Sequence, residues 1–320
     1  MKKLITGGGG FIGSHLARKL ITKNETVLIL DDFSSGSIEN LNEVIESSNF
    51  QYISGSILDE NLVAKIMSEV DYCYHLAASL GVEKINSDPI SAINVNLKGC
   101  EIVLKHASRF NVRTFLASSS EIYGKNTKVP LSEEYDRVLG PPQIARWSYS
   151  EAKAMDELYA FQLHAKESFP VTIGRFFNTV GIRQSGAYGM VLPRFIEAAL
   201  KNNPLLVYGD GKQTRSFCAV SDAVSAIDEL MSTSNTIGQV YNIGSPNEIS
   251  INDLAKLVIE VTNSKSEIVY KKHSEIFGNN FEEPFRRSPN IFKITKAVGW
   301  QPKKNLQEII LEIVRHKKND

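Results

Sequence analysis

Four consecutive glycines, residues 7–10, separate a short apolar segment at residues 4–6 from an amphipathic segment at residues 11–22. With Gly13, they satisfy both the G-x-G-x-x-G and the G-x-x-G-x-x-G spacing. Glycine permits positive φ angles, and without side chains the backbone N–H groups at a helix N-terminus approach a pyrophosphate closely. The pattern predicts a strand, a phosphate-binding turn and a helix. The predicted dinucleotide contacts in this segment are Gly7, Gly10, Phe11, Ile12 and Gly13.

An acidic pair follows the second predicted strand, residues 26–30. A carboxylate at the position of Asp31 accepts hydrogen bonds from both ribose hydroxyls and repels an added 2′-phosphate, which favours NAD over NADP. A glycine-rich turn without a ligand is the alternative interpretation. The strand, the helix and the acid are all in register, however, and this favours an NAD site.

Apolar segments alternate with amphipathic segments as far as residue 176. This alternation predicts an α/β fold with a Rossmann-type, doubly wound parallel sheet. Beyond about residue 180 the elements are shorter and the turns richer in Gly and Pro, which indicates a smaller α/β substrate-binding region. We predict an NAD-binding domain at residues 1–178 with return segments near 214–246, and a mainly substrate-binding region at 179–320. Residues 274–289 lack periodicity and are predicted to form a surface loop.

Composition excludes several classes of function. Lys plus Arg and Asp plus Glu both number 36, so no overall field draws the chain to nucleic acid or to an anionic membrane. No apolar run approaches the roughly eighteen residues of a membrane-spanning helix. Three cysteines and six histidines lack disulfide or metal-ligand spacing, so we expect no metal site and a cytoplasmic protein.

A tyrosine and a lysine stand one helical turn apart in a strongly helical segment. The ammonium of Lys153 is predicted to lower the pKa of Tyr149, making the phenolate a usable base for a hydroxyl group. Pairs at this spacing also occur on solvent-exposed helix faces. The serine-rich segment 118–124 follows an apolar strand, where an open α/β sheet places its ligand, although a polar loop that caps a helix is the alternative there.

Six motifs in order, TGGGGFIG, YHLAAS, SSSEIYG, YSEAK, RFFNTVG and YGDGKQTRSF, resemble those of extended short-chain dehydrogenases. This family contains NAD-dependent nucleotide-sugar epimerases, dehydratases and decarboxylases, and the resemblance covers nearly the whole chain. It implies oxidation at sugar carbon 4, a UDP-sugar substrate and a role in polysaccharide biosynthesis. It also implies a homodimer formed through helices at about residues 90–110 and 150–166.

The resemblance assigns roles to individual residues. Tyr149 would be the catalytic base, Lys153 would hold the nicotinamide ribose, and Ser119 would bond the hydroxyl that is oxidised. The further cofactor contacts that it implies are Ala77, Ala78, Asn96, Ser56 and Ile57. Relatives commonly carry Asp where this chain has Ser56, so the adenine contact departs from the family pattern.

On the substrate side, the resemblance makes Asn178 a contact of the nucleoside diphosphate, with Arg215 and Arg287 as its counter-charges. Each arginine is alternatively a solvated surface cation. Arg146, just before the catalytic tyrosine, would face a substrate carboxylate or would be an ordinary surface residue.

Ser120 and Glu121 are further predicted catalytic residues, and this pair indicates which reaction is catalysed. dTDP-glucose dehydratases carry Asp-Glu at these positions, whereas Ser-Glu resembles UDP-glucuronate decarboxylases and also GDP-mannose 4,6-dehydratases. We therefore expect decarboxylation of a UDP-uronic acid. The alternatives are a 4-epimerase, a 4,6-dehydratase, an NADP-dependent reductase and, in another class, a non-catalytic NAD-sensing regulator.

Overall fold

A seven-stranded parallel sheet forms the centre of the computed structural model, which describes residues 1–79, 88–186, 190–272 and 284–319. The strands, in chain order, are β1 Lys2–Thr6, β2 Thr26–Asp31, β3 Phe50–Ser54, β4 Tyr72–His75, β5 Arg113–Ser119, β6 Val171–Phe176, β7 Thr179–Val180, β8 Leu205–Tyr208, β9 Thr214–Ser216, β10 Cys218–Ala219, β11 Gln239–Ile243, β12 Glu248–Ser250, β13 Ile268–Lys271 and β14 Arg286–Arg287. The central sheet has the order β11-β6-β5-β4-β1-β2-β3, and every adjacent pair is parallel.

The helices, in chain order, are α1 Phe11–Thr22, α2 Glu60–Met67, α3 Pro89–Ile93, α4 Cys100–Arg109, α5 Trp147–Glu167, α6 Val191–Leu200, α7 Val220–Met231, α8 Ile251–Thr262, α9 Phe292–Val298 and α10 Leu306–Asn319. A π-helical segment, Asn94–Gly99, joins α3 to α4. None of the described helices combines the length and the apolar character needed to cross a bilayer.

Helices cover both faces of the sheet, as the alternation of the sequence predicts. Along β2, Val27 and Ile29 pack into one core, together with α1 and α7. Leu28 and Leu30 pack into the other core, with α2 and α4. Successive side chains of a strand point to opposite faces, so a strand buried on both faces reads as a continuous apolar run. The prediction of a doubly wound α/β fold is confirmed.

A third apolar core lies in the later part of the chain, between α6, α8 and α10. Three small sheets accompany it, one of β8 and β13, one of β7 and β10, and one in the order β12-β9-β14. The chain also returns to the central sheet after residue 178. Strand β11 forms one edge of that sheet, next to β6, and helix α7 packs against α1. Ile294 of α9 and Trp300 join that first core as well. The domain boundary at residue 178 stays a prediction.

The loop predicted at residues 274–289 can be checked against the structure only from residue 284 onward. Residues 274–283 lie outside the described residues. At residues 286–287 the prediction is wrong, because β14 pairs there with β9 and Arg287 is buried. A strand of two residues is too short to leave a periodic pattern in the sequence.

Candidate active site

The predicted site residues gather at one edge of the central sheet. β1, β4, β5 and β6 are parallel neighbours, so the segments that follow them leave the sheet at the same edge. These segments are the glycine turn, residues 76–79, residues 120–124 and residues 177–178. The polar groups of the site therefore come from distant parts of the sequence.

The glycine turn fits against its neighbours only without side chains. Gly7 has φ +72°, and a Cβ atom there would lie 2.7 Å from the backbone nitrogen of Ala77. A Cβ atom on Gly13 would lie 2.2 Å from the carbonyl oxygen of Gly7. Gly10 caps α1 without any side-chain hydrogen bond, and the first turn, which begins with Phe11 and Ile12, holds no acidic residue. The positive end of α1 thus suits a pyrophosphate, as the sequence predicts.

Asp31 lies at the end of β2 beside this turn. Its carboxylate accepts hydrogen bonds of 2.8 Å from the backbone N–H groups of Gly9 and Phe33. Ser56 and Ile57 follow β3, which pairs with β2, so they lie at the same corner of the sheet. The structure brings these three predicted cofactor residues together at one side of the glycine turn.

Ala77 and Ala78 follow β4 on the other side of the turn and are half-buried. Asn96 is buried, and its amide bonds the backbone of Ser79 twice, accepting at 2.7 Å and donating at 3.1 Å. The structure thus places Asn96 in support of the loop after β4. Its contact with a cofactor stays a prediction.

Helix α5 carries the predicted catalytic pair. Between residues 147 and 167 its sequence is rich in Ala, Glu, Leu and Lys and lacks Gly and Pro, a composition that favours a long helix. Tyr149 forms a hydrogen bond with the side chain of Ser119 at the end of β5. The hydroxyl of Ser150 donates 2.8 Å to the carbonyl of Glu121, which fixes the helix against the turn after β5.

The pKa of Tyr149 differs from the sequence prediction. Lys153 and the bond with Ser119 lower that pKa, as predicted. Burial raises it more strongly, and the negative charges of Glu121 and Asp156 add to the rise, so the net shift is upward. The prediction of a net lowering is therefore wrong in this structure. It left out the cost of forming a phenolate away from water.

Glu121 is held between arginines. Arg287 donates 2.6 Å to one carboxylate oxygen, and Arg146 lies 3.5 Å from the other. Burial opposes ionisation, but Arg287, Arg146 and then Arg215 hold the pKa of Glu121 at about 2. Ser120, its predicted partner, is buried beside it in the same turn. The turn after β5 therefore presents a permanent carboxylate among cationic groups.

The two arginines predicted at the diphosphate occupy adjacent strands. Arg215 of β9 and Arg287 of β14 are register partners, which places both near Glu121. The side-chain amide of Asn178 donates 2.9 Å to the carbonyl of Ser216, so it lies beside the same small sheet. The binding of a diphosphate by these groups stays a prediction.

Sequence reasoning missed buried charges on α5. Asp156 forms an ion pair of 3.1 Å with Lys153. Glu157 pairs with Arg175 at 2.7 Å and accepts 2.5 Å from Ser118. The i, i+3 spacing of Asp156 from Lys153 is the signal that identifies the first pair. The second pair joins separate elements and leaves no local pattern.

Comparison with known proteins places these features in context. The profile of the GDP-mannose 4,6 dehydratase family matches residues 4–313. The UDP-N-acetyl-alpha-D-glucosaminuronate decarboxylase of Bacillus cytotoxicus is 39% identical over 318 residues, 98% of each chain. UDP-glucuronic acid decarboxylase 2 of Arabidopsis thaliana is 35% identical over 308 residues, 96% of this chain and 66% of that protein.

A solved structure shows the same fold. The UDP-glucuronic acid 4-epimerase of Bacillus cereus, crystallised with UDP-glucuronic acid and NAD, is 26% identical and has a TM-score of 0.89. The similarity covers 100% of this chain and 99% of that one.

Proposed function

Because this chain belongs to the GDP-mannose 4,6-dehydratase family of extended short-chain dehydrogenases, we propose that it is an NAD-dependent enzyme that decarboxylates a UDP-linked uronic acid. The two decarboxylase relatives support this proposal, and so does the presence of both Tyr149 and Lys153. A non-catalytic NAD-sensing regulator has no need of that pair.

The charge around Glu121 carries the proposal. One carboxylate faces Arg146 and Arg287 within 3.5 Å, and Arg215 adds a third positive charge nearby. Three guanidinium groups therefore lie around Glu121 beside the catalytic pair. Arg146 is the one that the sequence resemblance sets against a substrate carboxylate, a group that a uronic acid has and a neutral hexose lacks.

The cofactor-binding part of the proposal rests on the glycine turn and Asp31. The turn has no room for side chains, the positive end of α1 is uncapped, and a carboxylate stands at the ribose position. These groups fit an NAD dinucleotide, with Ala77 and Ala78 at the wall of the site and Lys153 at the nicotinamide ribose. When bound, NAD supplies the acceptor for the hydrogen of sugar carbon 4 and later returns it.

Residues of the chain itself transfer the protons and stabilise the charges of the reaction. The ammonium of Lys153 stabilises Tyr149 as a phenolate, which takes the proton of the 4-hydroxyl and becomes a phenol. Ser119 bonds the same oxygen. The ketone at carbon 4 then withdraws electrons as the bond from carbon 5 to the carboxyl carbon breaks and carbon dioxide leaves. Tyr149 and Ser119 stabilise the negative charge on the oxygen of the resulting enolate by hydrogen bonds. A proton from water then adds at carbon 5 in place of the lost carboxyl carbon, which restores the ketone at carbon 4.

The experiment is incubation of the protein with NAD and either UDP-glucuronate or UDP-N-acetylglucosaminuronate, with product masses recorded. The second sugar is included because the Bacillus cytotoxicus relative is named for it. Loss of carbon dioxide from either substrate supports the proposal. An unchanged mass with a new isomer indicates a 4-epimerase, and no conversion of either uronate removes the proposal. A 4,6-dehydratase is tested separately with a nucleotide hexose that keeps its 6-hydroxyl, from which it removes water.

We also propose that the protein forms a homodimer. α3 and α4 pack beside α5, and their outer faces expose Ile90 (73%), Met155 (52%) and Leu158 (50%). Exposed apolar side chains on neighbouring helices favour association. We further propose a cytoplasmic location and a role in polysaccharide biosynthesis. The three buried free cysteines are compatible with a reducing compartment.

A further inference from the structure

Asp156 places a buried negative charge beside the catalytic pair. Its carboxylate lies 3.1 Å from the ammonium of Lys153, three residues earlier on α5, and both side chains are only 3% exposed. The carboxylate therefore exchanges little with solvent. Its charge is balanced by protein groups.

The groups around Asp156 come from several elements. Cys100 of α4 forms a side-chain hydrogen bond with it, and burial raises the pKa of that thiol well above its usual range, so Cys100 remains a neutral donor. Glu157 on the same helix is a second negative charge, but its own partner is Arg175. Among the described residues, Lys153 is the cation that forms an ion pair with Asp156.

The groups around Lys153 complete this environment. His75 at the end of β4 stays neutral, because burial and the charge of Lys153 hold its pKa at about 3. Tyr149 and Asp156 both favour the charged ammonium, and together they outweigh burial, which lowers the pKa of Lys153. Glu121 faces Tyr149 from the turn after β5.

An ammonium in a dry site tends to lose its proton, and a carboxylate in a dry site tends to gain one. Pairing keeps both charged, and removing one partner leaves the other costly to bury. A lysine ammonium has three protons to donate. A bond to Asp156 fixes the direction of the ammonium and leaves two protons for other acceptors.

We propose that Asp156 is a positioning residue of the catalytic pair: its buried carboxylate, 3.1 Å from the ammonium of Lys153, holds that ammonium in place and adds a negative charge beside both groups of the pair. The inference rests on the proposed function, because it concerns the same pair.

The direction of the effect follows from coupled titration. Tyr149 and Lys153 interact strongly, so their first proton loss belongs to the pair. A neighbouring carboxylate makes that loss harder from either group. Replacing Asp156 by Asn therefore moves the first proton loss of the pair to lower pH.

The first test measures tyrosinate by ultraviolet difference absorbance in the full chain with NAD. Subtracting a matched Tyr149→Phe background, made in both the wild type and Asp156→Asn, isolates the signal of this one phenol. At a fixed alkaline pH at which circular dichroism shows every variant folded, we expect the ratio of tyrosinate to phenol to rise about tenfold in Asp156→Asn, one unit of pKa. An unchanged or lower ratio overturns the inference.

Three further variants sharpen the test. Asp156→Glu keeps the charge and is expected to stay within about threefold of the wild-type ratio, since carboxylate position alone changes. Glu151→Gln removes an exposed carboxylate of α5 that pairs with Arg137, and it leaves the ratio unchanged. Asp156→Ser, which leaves room for water, replaces Asp156→Asn if the amide variant does not fold, with the same expected rise.

The second test uses turnover of whichever nucleotide sugar the protein accepts. The acidic limb of the kcat/KM profile is expected to move to lower pH by about one unit in Asp156→Asn. A fall of kcat at every pH without movement of the limb indicates a merely structural role and contradicts the inference. The tyrosinate measurement needs no sugar, so failure of the proposed decarboxylation and failure of this inference are distinguishable.

Discussion

Arg287 donates a hydrogen bond of 2.6 Å to the carboxylate of Glu121, a residue 166 positions earlier in the chain. The bond joins the short strand β14 to the turn after β5, and both groups are largely withdrawn from water. The bond helps to keep the carboxylate of Glu121 charged beside the catalytic helix. The neighbouring Arg286 makes the corresponding pair with Glu248, but its side chain is half exposed.

The contrast between adjacent arginines gives the first prediction. Arg287→Lys is expected to lower kcat/KM for the accepted nucleotide sugar by about 10- to 100-fold, because a charge-assisted bond in a buried site is worth roughly 1.5–3 kcal/mol. Arg286→Lys is the matched control and is expected to stay within about twofold, since exposed ion pairs contribute little. Equal losses in both variants contradict a special role for Arg287.

The pKa of Glu121 predicts how stability depends on pH. Burial opposes ionisation, but the arginines hold this pKa at about 2, below its usual value. A lowered pKa in the folded state contributes stability above the unfolded value, and that contribution is lost as pH falls toward the folded pKa. The difference in Tm between wild type and Glu121→Gln is therefore expected to shrink between about pH 5 and pH 2. A difference that is constant across this range contradicts the assignment.

The sequence contained the local parts of this site but not its long-range partners. Lys153 follows Tyr149 at a helical spacing, so the pair was visible, as was the glycine turn before α1. The same spacing rule reaches Asp156, which sequence reasoning did not use. The resemblance predicts Arg287 as a counter-charge of the diphosphate, but its bond to Glu121 depends on a fold that brings distant segments together.

The same distinction holds for the fold. Strands of four to seven residues in the central sheet carry a hydrophobic pattern, and their alternation with helices predicted the doubly wound sheet. β7, β10 and β14 have two residues each, too few for a pattern. The net rise in the pKa of Tyr149 was also missed, because burial is a property of the folded chain.

A third prediction concerns the base. Tyr149→Phe removes the only atom that takes a proton in the proposed mechanism, and kcat is expected to fall by at least about a hundredfold. NAD affinity is expected to change by less than about tenfold, since a single neutral hydrogen bond contributes roughly 0.5–1.5 kcal/mol. Tyr159→Phe, on the same helix and half-buried, is the control and should retain activity. Full activity in Tyr149→Phe rules out the mechanism.

A fourth prediction concerns cofactor choice. Asp31→Asn removes the charge that accepts ribose hydroxyls and repels a 2′-phosphate. We expect NAD to bind about tenfold more weakly, whereas NADP is expected to bind at least as tightly as it binds the wild type. Calorimetry measures both affinities. Asp32→Asn changes an exposed carboxylate that bonds the backbone of Ser34, and it should leave both affinities unchanged. Loss of both cofactors to the same degree from Asp31→Asn points to damage to the turn, where Asp31 also bonds Gly9.

The fifth prediction concerns the apolar surface of α5. Met155 and Leu158 lie three residues apart on the helix, so they share one face, and both are half exposed. If two chains associate through this face, lysines at both positions place like charges opposite one another and leave them poorly solvated. In light scattering, the double variant Met155→Lys, Leu158→Lys is expected to have the molar mass of a monomer, whereas the wild type is expected to have that of a dimer. Phe292→Lys, a change at a 69% exposed side chain of α9, serves as the control. A double variant that remains dimeric at micromolar concentration places the interface elsewhere on the molecule, because burying four lysines at one contact is too costly for a stable dimer.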